Sequence, residues 1–151
     1  MKLKKGEIFP NFILKDDKGL SFNLSEDIKS KFLVIYFYPK DETPGCTKQA
    51  CYFRDYYTDF TNLDCEIIGI SIDNQEKHSN FKERFVLPFR LLTDKKNELR
   101  NKLELPKDFL GLSPGRITFL INSEFQILFI FRSSLNMKSH ITEALNFLEK
   151  I

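Results

Sequence analysis

Two cysteines five positions apart are the residues of this sequence best suited to redox chemistry. Cys46 follows Thr43, Pro44 and Gly45 in the stretch YFYPKDETPGCTKQACYFRD, and Cys51 comes five residues later. A cysteine in its thiolate form is a strong nucleophile and reacts with oxidants and disulfides. The stretch therefore predicts thiol chemistry if the local structure favours a thiolate at Cys46.

The residues before Cys46 are typical of the start of a helix. Thr43 is a favourable N-cap residue, and proline is favoured at the first helical position, where its missing N–H is no loss. Cys46 then lies in the first turn, where backbone N–H groups lack partners within the helix and the helix dipole is positive. A thiolate is stabilised there, and Gly45 leaves the approach to the sulfur open. A lone cysteine in a helix is more often an inert core residue, but this combination favours a reactive thiol.

The spacing of the two cysteines limits how they can pair. In one straight helix, five residues place the two Cα atoms about 8.7 Å apart on nearly opposite faces. A disulfide requires Cα atoms within about 7 Å and Cβ atoms that face each other. Cys46 and Cys51 therefore either never bond, or bond only after the first turns of the helix unwind. This differs from a Cys-x-x-Cys exchange motif, whose sulfurs meet without unfolding.

The other cysteine and the two histidines are interpreted as structural or surface residues. Cys65 begins a strand between Asp64 and Glu66, and an acidic setting disfavours a thiolate. His78 and His140 are predicted to lie on the surface, and neither stands at zinc-finger spacing from a cysteine pair. The sequence thus predicts no metal site and gives little support to a Cys-His protease.

The elements that must position Cys46 follow an alternating order. FLVIYFY (residues 32–38) is a continuous apolar run typical of a strand buried on both faces, and CEIIGIS (65–71) predicts a second buried strand. FILKDDKGLSFNL predicts an N-terminal hairpin. Further strands are predicted at residues 89–93, 116–121 and 126–131. Helices are predicted from about residue 44 to 62, at 74–85, in a segment capped by Asp94, and in SHITEALNFLEKI at the C-terminal end.

This order predicts an α/β fold with a mixed sheet, helices on both faces and an N-terminal β-hairpin. The alternating middle implies parallel strands, and the late strand pair with its short turn implies an antiparallel edge. Sites in such folds lie at the carboxyl ends of the central strands, which is where the Cys46 stretch begins. Since the chain has 151 residues and no repeat or linker, we expect one domain over residues 1–151.

Composition argues against several other functions. The formal net charge is +2 and basic residues are not interleaved with aromatics in any run, so no nucleic-acid partner is expected. The opening MKLKKGEIFPNF lacks the apolar segment of a signal peptide, and the longest apolar run, ITFLI, is too short to cross a bilayer. We therefore expect a cytoplasmic protein with no membrane partner. Three cysteines, an odd number, disfavour a disulfide scaffold.

Pro39, Thr43 and Cys46 form the pattern Pro-x-x-x-Thr-x-x-Cys, which resembles the active-site motif of peroxiredoxins. The longer FYPKDETPGCTKQACYFRD resembles the bacterioferritin comigratory protein, or peroxiredoxin Q-like, subgroup. The similarity extends over nearly the whole chain, including GISIDNQEKHSNF, LLTD and GRITFLIN. It implies a thioredoxin-like fold and the reduction of hydrogen peroxide and organic hydroperoxides.

The resemblance also implies roles for individual residues. Cys46 would be the peroxidatic cysteine, Pro39 would shield the site, and Thr43 would hydrogen-bond the peroxide and the thiolate. Arg116 would support the thiolate and polarise the peroxide, although its position alone indicates only a surface charge at a strand start. Cys51 matches the resolving cysteine of those subgroup members that carry one in the same helix.

Three further features are weaker parts of the resemblance. Gln49 would be a supporting hydrogen-bond donor, and Arg54 and Asp55 would form a structural ion pair. The segment LELPKDFLGLSPG (residues 103–115) departs from the subgroup, because it is shorter and poorer in aromatic residues. In the family this segment borders the pocket, so the departure affects substrate preference and any dimer contact.

The implied chemistry is a thiol cycle with no metal and no bound cofactor. Thioredoxin or a similar dithiol would restore the thiols, and the protein would act as a monomer. Two alternatives remain open. One is a thiol–disulfide oxidoreductase of the same fold, which the missing Cys-x-x-Cys disfavours, and the other is a non-enzymatic redox sensor or holdase.

Overall fold

The computed structural model describes residues 2–151 of the chain. The strands are β1 (Ile13–Asp16), β2 (Ser21–Asn23), β3 (Phe32–Phe37), β4 (Cys65–Ser71), β5 (Arg90–Thr93), β6 (Lys107–Asp108), β7 (Ser113–Pro114), β8 (Ile117–Asn122) and β9 (Ile127–Arg132). The helices are α1 (Leu24–Asp27), α2 (Pro44–Asp55), α3 (Tyr57–Asn62), α4 (Gln75–Phe85), α5 (Glu98–Lys102) and α6 (Met137–Lys150), and a 3₁₀ turn (Lys95–Asn97) precedes α5.

Seven of these strands form one mixed sheet in the order β2-β1-β5-β4-β3-β8-β9. β3, β4 and β5 run parallel because helices connect each of them to the next across the sheet. β1 pairs antiparallel with β2 and β5, and β8 pairs antiparallel with β3 and β9. The predicted α/β architecture, with its hairpin and antiparallel edge, is confirmed.

The central strand β3 is apolar on both faces because both faces of the sheet are covered. Alternate side chains point to opposite faces of a strand, so a strand buried on both sides needs apolar residues throughout. Leu33, Ile35 and Phe37 pack with the N-terminal segment, α1 and α5, whereas Val34, Tyr36 and Tyr38 pack with α2, α3, α4 and α6. Helices therefore lie on both faces, as predicted.

The turn between β1 and β2 is built by an aspartate and a glycine. The Asp16 carboxylate accepts hydrogen bonds from the backbone N–H groups of Lys18 and Leu20, both at 2.9 Å. Gly19 has a φ of +78°, in the left-handed region that glycine adopts without strain. β1 also pairs with β5, so the hairpin adds two antiparallel strands next to the parallel part of the sheet.

Local structure differs from the predicted elements at three places. The predicted helix over residues 44–62 is two helices, because Tyr56 leaves helical geometry with φ −99° and ψ 7°. The helix that Asp94 caps, α5, begins about one turn later than expected. The Asp94 carboxylate accepts hydrogen bonds from the backbone N–H groups of Leu99 and Arg100 at 2.8 and 2.9 Å. Residues 103–115 contain the ribbon β6–β7, whose two-residue strands are too short to give a sequence pattern.

Candidate active site

The carboxyl end of β3 leads directly into the candidate site. The chain leaves the sheet after Phe37, passes through residues 38–43 and enters α2 at Pro44. Thr43 occupies the N-cap position with an extended backbone, and Pro44 is the first helical residue. Cys46 therefore lies in the first turn of α2, where backbone N–H groups and the helix dipole favour negative charge.

The Cys46 sulfur is buried and faces two hydrogen-bond donors. Arg116 Nη1 lies 3.1 Å from Cys46 Sγ, and the backbone N–H of Lys40 donates to the same sulfur at 3.5 Å. Only 1% of Cys46 is exposed. A guanidinium and a backbone amide are thus both directed at one buried sulfur.

Arg116 joins Cys46 to Gln49 of the same helix. Its Nη1 donates to Cys46 Sγ and, at 3.0 Å, to Gln49 Oε1. Arg116 is buried, so the expectation from its position alone, a surface charge, is wrong. Gln49 acts here as an acceptor rather than as the predicted donor, and its Nε2 has no hydrogen-bond partner among residues 2–151.

Gly45 makes the close approach of Arg116 possible. A Cβ atom at this position would lie 2.8 Å from Arg116 Nη2 and 3.4 Å from Met137 Cε. Real Cβ atoms essentially never come as close as the first of these distances. The absent side chain therefore leaves room for the guanidinium, as well as for the predicted approach to the sulfur.

Thr43 and Pro39 belong to the loop that precedes α2. The Thr43 hydroxyl donates to the Lys40 carbonyl at 2.9 Å and does not cap the helix, although Thr43 occupies the N-cap position. The hydroxyl oxygen keeps its acceptor lone pairs for a bound molecule. Pro39 is half-buried directly after the apolar run of β3. The structure thus brings Pro39, Thr43 and Cys46 into one loop and helix start.

Cys51 lies in the same uninterrupted helix as Cys46, and both thiols are free. Burial raises the pKa of the Cys51 thiol; Arg54 lowers it and Asp55 raises it further. Arg54 and Asp55 form the predicted ion pair, with Arg54 Nε 3.0 Å from Asp55 Oδ1. With α2 intact, the geometry of a helix keeps the two cysteines too far apart to bond.

Cys65 lies at the other end of the parallel strands. It is paired with Phe32, the first residue of β3, and is 1% exposed. Burial, together with Glu66 and Asp64, raises its pKa to about 12, although a backbone hydrogen bond with Val34 opposes this shift. These features agree with the predicted structural role of Cys65.

The prediction that His78 and His140 lie on the surface is wrong, because neither has any exposed area. Thr118 Oγ1 lies 2.8 Å from His140 Nδ1, and the Ser133 carbonyl lies 2.7 Å from Nε2. Burial lowers the pKa of His140 to about 4, and nearby Arg116 lowers it further, against the opposing hydrogen bond to Ser133. His140 is therefore neutral at physiological pH.

The segment that carries Arg116 is held by a second buried arginine. Arg100 donates from Nη2 to the carbonyl of Gly115 at 2.8 Å and from Nη1 to the carbonyl of Pro106 at 3.3 Å. Burial lowers the pKa of Arg100 to about 10, and nearby Asp94 opposes that shift. Arg100 thus fixes the backbone that immediately precedes Arg116, a connection that the sequence does not reveal.

Asp41, Asp73 and His78 form a buried cluster with residue types that often bind metal ions. Their polar atoms already bond to protein groups: Asp41 Oδ2 to His78 Nδ1 at 2.6 Å, and Asp73 Oδ2 to the Asp41 N–H at 2.7 Å. A cation would have to break these bonds. Sequence reasoning missed the cluster, although Asp41 and Asp73 each follow a buried strand closely.

Comparisons with known proteins agree with this geometry. A profile of the AhpC/TSA family matches residues 5–130. Peroxiredoxin Q, chloroplastic, of Oryza sativa subsp. japonica is 42% identical over 150 residues, which are 99% of this chain and 69% of the relative.

Solved structures give the same result. Peroxidoxin BcpB from Mycobacterium tuberculosis superposes with a TM-score of 0.90 at 32% identity, covering 99% of this chain and 98% of that one. The Xanthomonas campestris bacterioferritin comigratory protein, described for its alkyl peroxide reduction activity, superposes with a TM-score of 0.81 at 29% identity, covering 92% and 90%.

The chain belongs to the AhpC/TSA family. Its similarity within that family is to peroxiredoxin Q and bacterioferritin comigratory proteins, so the predicted resemblance and the thioredoxin-like peroxiredoxin fold are confirmed. The class of activity that follows is that of a thiol-dependent peroxidase.

The prediction of a cytoplasmic location is wrong on this comparison. The plant relatives, from rice, Gentiana triflora and Arabidopsis thaliana, are named chloroplastic. The prediction relied on the absence of an apolar leader, and such an absence does not select a compartment. Within residues 2–151, no helix has both the length and the apolar character needed to cross a membrane.

Proposed function

We propose that this chain reduces hydrogen peroxide and organic hydroperoxides with Cys46 as the nucleophile. The observation that most supports this role is the 3.1 Å contact between Arg116 Nη1 and Cys46 Sγ in the first turn of α2. The Xanthomonas relative described for alkyl peroxide reduction supports the substrate class. A lone buried cysteine would not need a cationic donor directed at its sulfur.

The first step is a displacement at oxygen. The Cys46 thiolate attacks the terminal peroxide oxygen, an S–O bond forms, the O–O bond breaks, and water or an alcohol leaves after taking up a proton. Arg116 and the Lys40 N–H are positioned to stabilise negative charge as it shifts from sulfur to the oxygens. The Thr43 hydroxyl can accept a hydrogen bond from the peroxide O–H, and Pro39 limits access of water.

The second step forms a disulfide within one chain. The first turns of α2 unwind, and the Cys51 thiol condenses with the Cys46 sulfenic acid, releasing water. An external dithiol, thioredoxin or a similar protein, then reduces the disulfide and is itself oxidised. We propose that the protein acts as a monomer throughout this cycle. Rapid unwinding would keep overoxidation to sulfinic acid slow.

Two substitutions test the cycle, with peroxide consumption followed in the presence of thioredoxin, its reductase and NADPH. Cys46→Ser should abolish consumption, because serine provides no thiolate. Cys51→Ser should leave the first oxidation intact and eliminate the intramolecular disulfide, as measured by mass spectrometry after peroxide treatment.

Three outcomes would contradict the proposal. Turnover retained in Cys46→Ser would reject Cys46 as the nucleophile. A Cys46–Cys65 bond in the peroxide-treated protein would reject Cys51 as the resolving residue. An oxidation rate for Cys46 close to that of free cysteine would favour a non-enzymatic redox role.

A further inference from the structure

Asp41, in the loop between β3 and α2, is held by hydrogen bonds on three sides. Its Oδ1 accepts from the Tyr38 hydroxyl at 2.5 Å, its Oδ2 lies 2.6 Å from His78 Nδ1, and its N–H donates to Asp73 Oδ2 at 2.7 Å. Asp41 is 6% exposed and the other three residues are less exposed still. Burial and the Asp41 charge raise the pKa of Tyr38 well above 10, so its hydroxyl remains a donor.

Both ring nitrogens of His78 have a hydrogen-bond partner. Nε2 lies 3.0 Å from the carbonyl oxygen of Leu92, which can only accept, so Nε2 donates there. Nδ1 lies 2.6 Å from Asp41 Oδ2 and shares one proton with it. These two bonds allow the imidazole and the carboxylate to be buried. His140 differs, because its Nδ1 faces a hydroxyl that can donate.

The backbone next to Asp41 contacts the reactive sulfur. Lys40, its immediate neighbour, donates its N–H to Cys46 Sγ and accepts the Thr43 hydroxyl at its carbonyl. On the other side of Asp41, Glu42 has a φ of +60°. Such a backbone conformation is unfavourable for a residue with a side chain and persists only where its surroundings fix it.

The loop has one anchor on each side of Glu42. On one side the anchor is the buried Asp41 carboxylate, and on the other it is the start of α2, where the Thr47 N–H donates to the Thr43 carbonyl at 2.9 Å. Without the first anchor the strained segment would relax and move the Lys40 amide and the Thr43 hydroxyl. The first anchor depends on His78, which lies in α4 and bonds to β5 through its other nitrogen.

We propose that His78 is a positioning residue for the peroxide chemistry of Cys46, acting through Asp41 on the loop that carries Lys40 and Thr43. His78 contacts neither the sulfur nor the substrate. It holds the Asp41 carboxylate, and Asp41 holds the amide and the hydroxyl in place. This inference rests on the proposed function for its peroxide readout.

A pair of substitutions at His78 separates positioning from simple support of the fold. The side-chain nitrogen of asparagine is separated from Cβ by the same number of bonds as Nδ1 of histidine. The side-chain nitrogen of glutamine is separated from Cβ by the same number of bonds as Nε2. His78→Asn therefore keeps the donor to Asp41 and loses the bond to Leu92, whereas His78→Gln does the opposite. Each variant loses one buried hydrogen bond, so their losses of stability should be similar.

The readout is the single-turnover rate of Cys46 oxidation by hydrogen peroxide, with the melting temperature measured on the same samples. His78→Gln should slow oxidation by about tenfold or more, because displaced catalytic groups are costly. His78→Asn should restore the rate to within about threefold of the unmodified protein. Asp41→Asn should also show slow oxidation of Cys46. It replaces His78→Gln in this test if His78→Gln does not fold.

Phe81→Leu provides the control for lost stability. Phe81 is fully buried one turn further along α4 and packs in the core cluster on the α2 side of the sheet. Its truncation should lower the melting temperature with little change in oxidation rate. Equal rates in His78→Asn and His78→Gln, or rates that simply follow melting temperature across all variants, would overturn the proposal.

A second readout keeps the two proposals distinguishable. Alkylation of Cys46 by iodoacetamide also requires the thiolate that the Lys40 amide supports, but it needs no peroxide. If the unmodified protein fails to consume peroxide, the proposed function fails, and the order of alkylation rates still decides the role of His78. If it consumes peroxide and His78→Gln is as fast in both assays, only the positioning inference fails.

Discussion

Arg116 Nη1 donates to two acceptors at once, the Cys46 sulfur and the Gln49 amide oxygen. Because Gln49 is one helical turn after Cys46, both acceptors lie on the same face of α2. The guanidinium is therefore oriented by the same helix that carries Cys46. This arrangement requires the guanidinium to lie against the first turn of α2, and Gly45 is the residue that permits it.

Gly45→Ala should slow the oxidation of Cys46 by about tenfold or more, because the added methyl group would displace the Arg116 guanidinium. The free energy of unfolding should fall by no more than about 1 kcal/mol. The cost of displacing Arg116 is partly offset because alanine favours the helix relative to glycine. Single-turnover oxidation and urea denaturation measure the two effects.

Lys48→Ala is the matched control for Gly45→Ala, since Lys48 is exposed on the same helix. It should change neither quantity appreciably. An unchanged oxidation rate in Gly45→Ala would mean that Arg116 can move aside without loss, contrary to the role proposed for it.

Single residues show where sequence reasoning succeeds and where it cannot. Thr43 and Pro44 correctly place Cys46 in a first helical turn, because capping preferences are local. The direction of the Thr43 hydroxyl depends on how the loop returns to Lys40, which no local pattern encodes. His78 was wrongly predicted to lie on the surface because the residues around it are polar. Its helical spacing of three residues from buried Phe81 is the signal that could have revealed its burial.

Helix α2 has two different tasks in the proposed cycle, since it must be intact in one step and open in the next. The helix is continuous from Pro44 to Asp55 and holds the Cys46 sulfur in contact with Arg116. The same continuity keeps Cys51 out of bonding range. Disulfide formation within one chain therefore has to begin with loss of the first turns of α2.

Oxidation of the unmodified protein should make backbone amides of α2 exchange with solvent at least about tenfold faster, because the disulfide cannot form in the intact helix. Peroxide-treated Cys51→Ser should retain the slow exchange. Hydrogen exchange followed by mass spectrometry measures this, with the peptide covering α4 as an internal reference. A Cys46–Cys51 disulfide with unchanged protection of α2 would contradict the expected unwinding.

The main elements of the sheet could be predicted from the sequence because their patterns are long and unambiguous. FLVIYFY is a continuous apolar run and CEIIGIS is mostly apolar, and each contains a strand that is buried along most of its length. The β6–β7 ribbon and the break at Tyr56 could not be predicted, because tertiary contacts rather than periodicity decide them. The contact of Arg100 with Gly115 depends on two segments that meet only in the folded chain.

The stability of the whole domain should depend on pH through one buried histidine, His140. His140 has a pKa of about 4 in the folded chain, against an ordinary value of 6.5. Between these two values the unfolded chain binds a proton at His140 that the folded chain does not. The contribution of His140 to stability is thus complete above pH 6.5 and is lost as the pH falls towards 4.

Acidification from pH 7 to 4.5 should lower the free energy of unfolding by up to about 3 kcal/mol through this residue alone. Urea denaturation at several pH values gives the slope. His140→Gln, which has no titrating ring, should lose part of that slope, whereas carboxylates elsewhere contribute equally to both proteins. Identical slopes would show that His140 is protonated in the folded state.

The prediction of one domain over residues 1–151 requires a single unfolding transition in these urea denaturation experiments.

Cys65 sits where β4 begins, whereas Cys46 lies beyond the far end of the neighbouring strand β3. A strand of that length spans about 20 Å, so the sulfur of Cys65 is out of reach of Cys46 while the sheet persists. A sulfenic acid at Cys46 would thus encounter a single thiol of its own chain. Scrambled bridges would not accumulate over many turnovers, and repair after oxidation would call for a reductant but no isomerase.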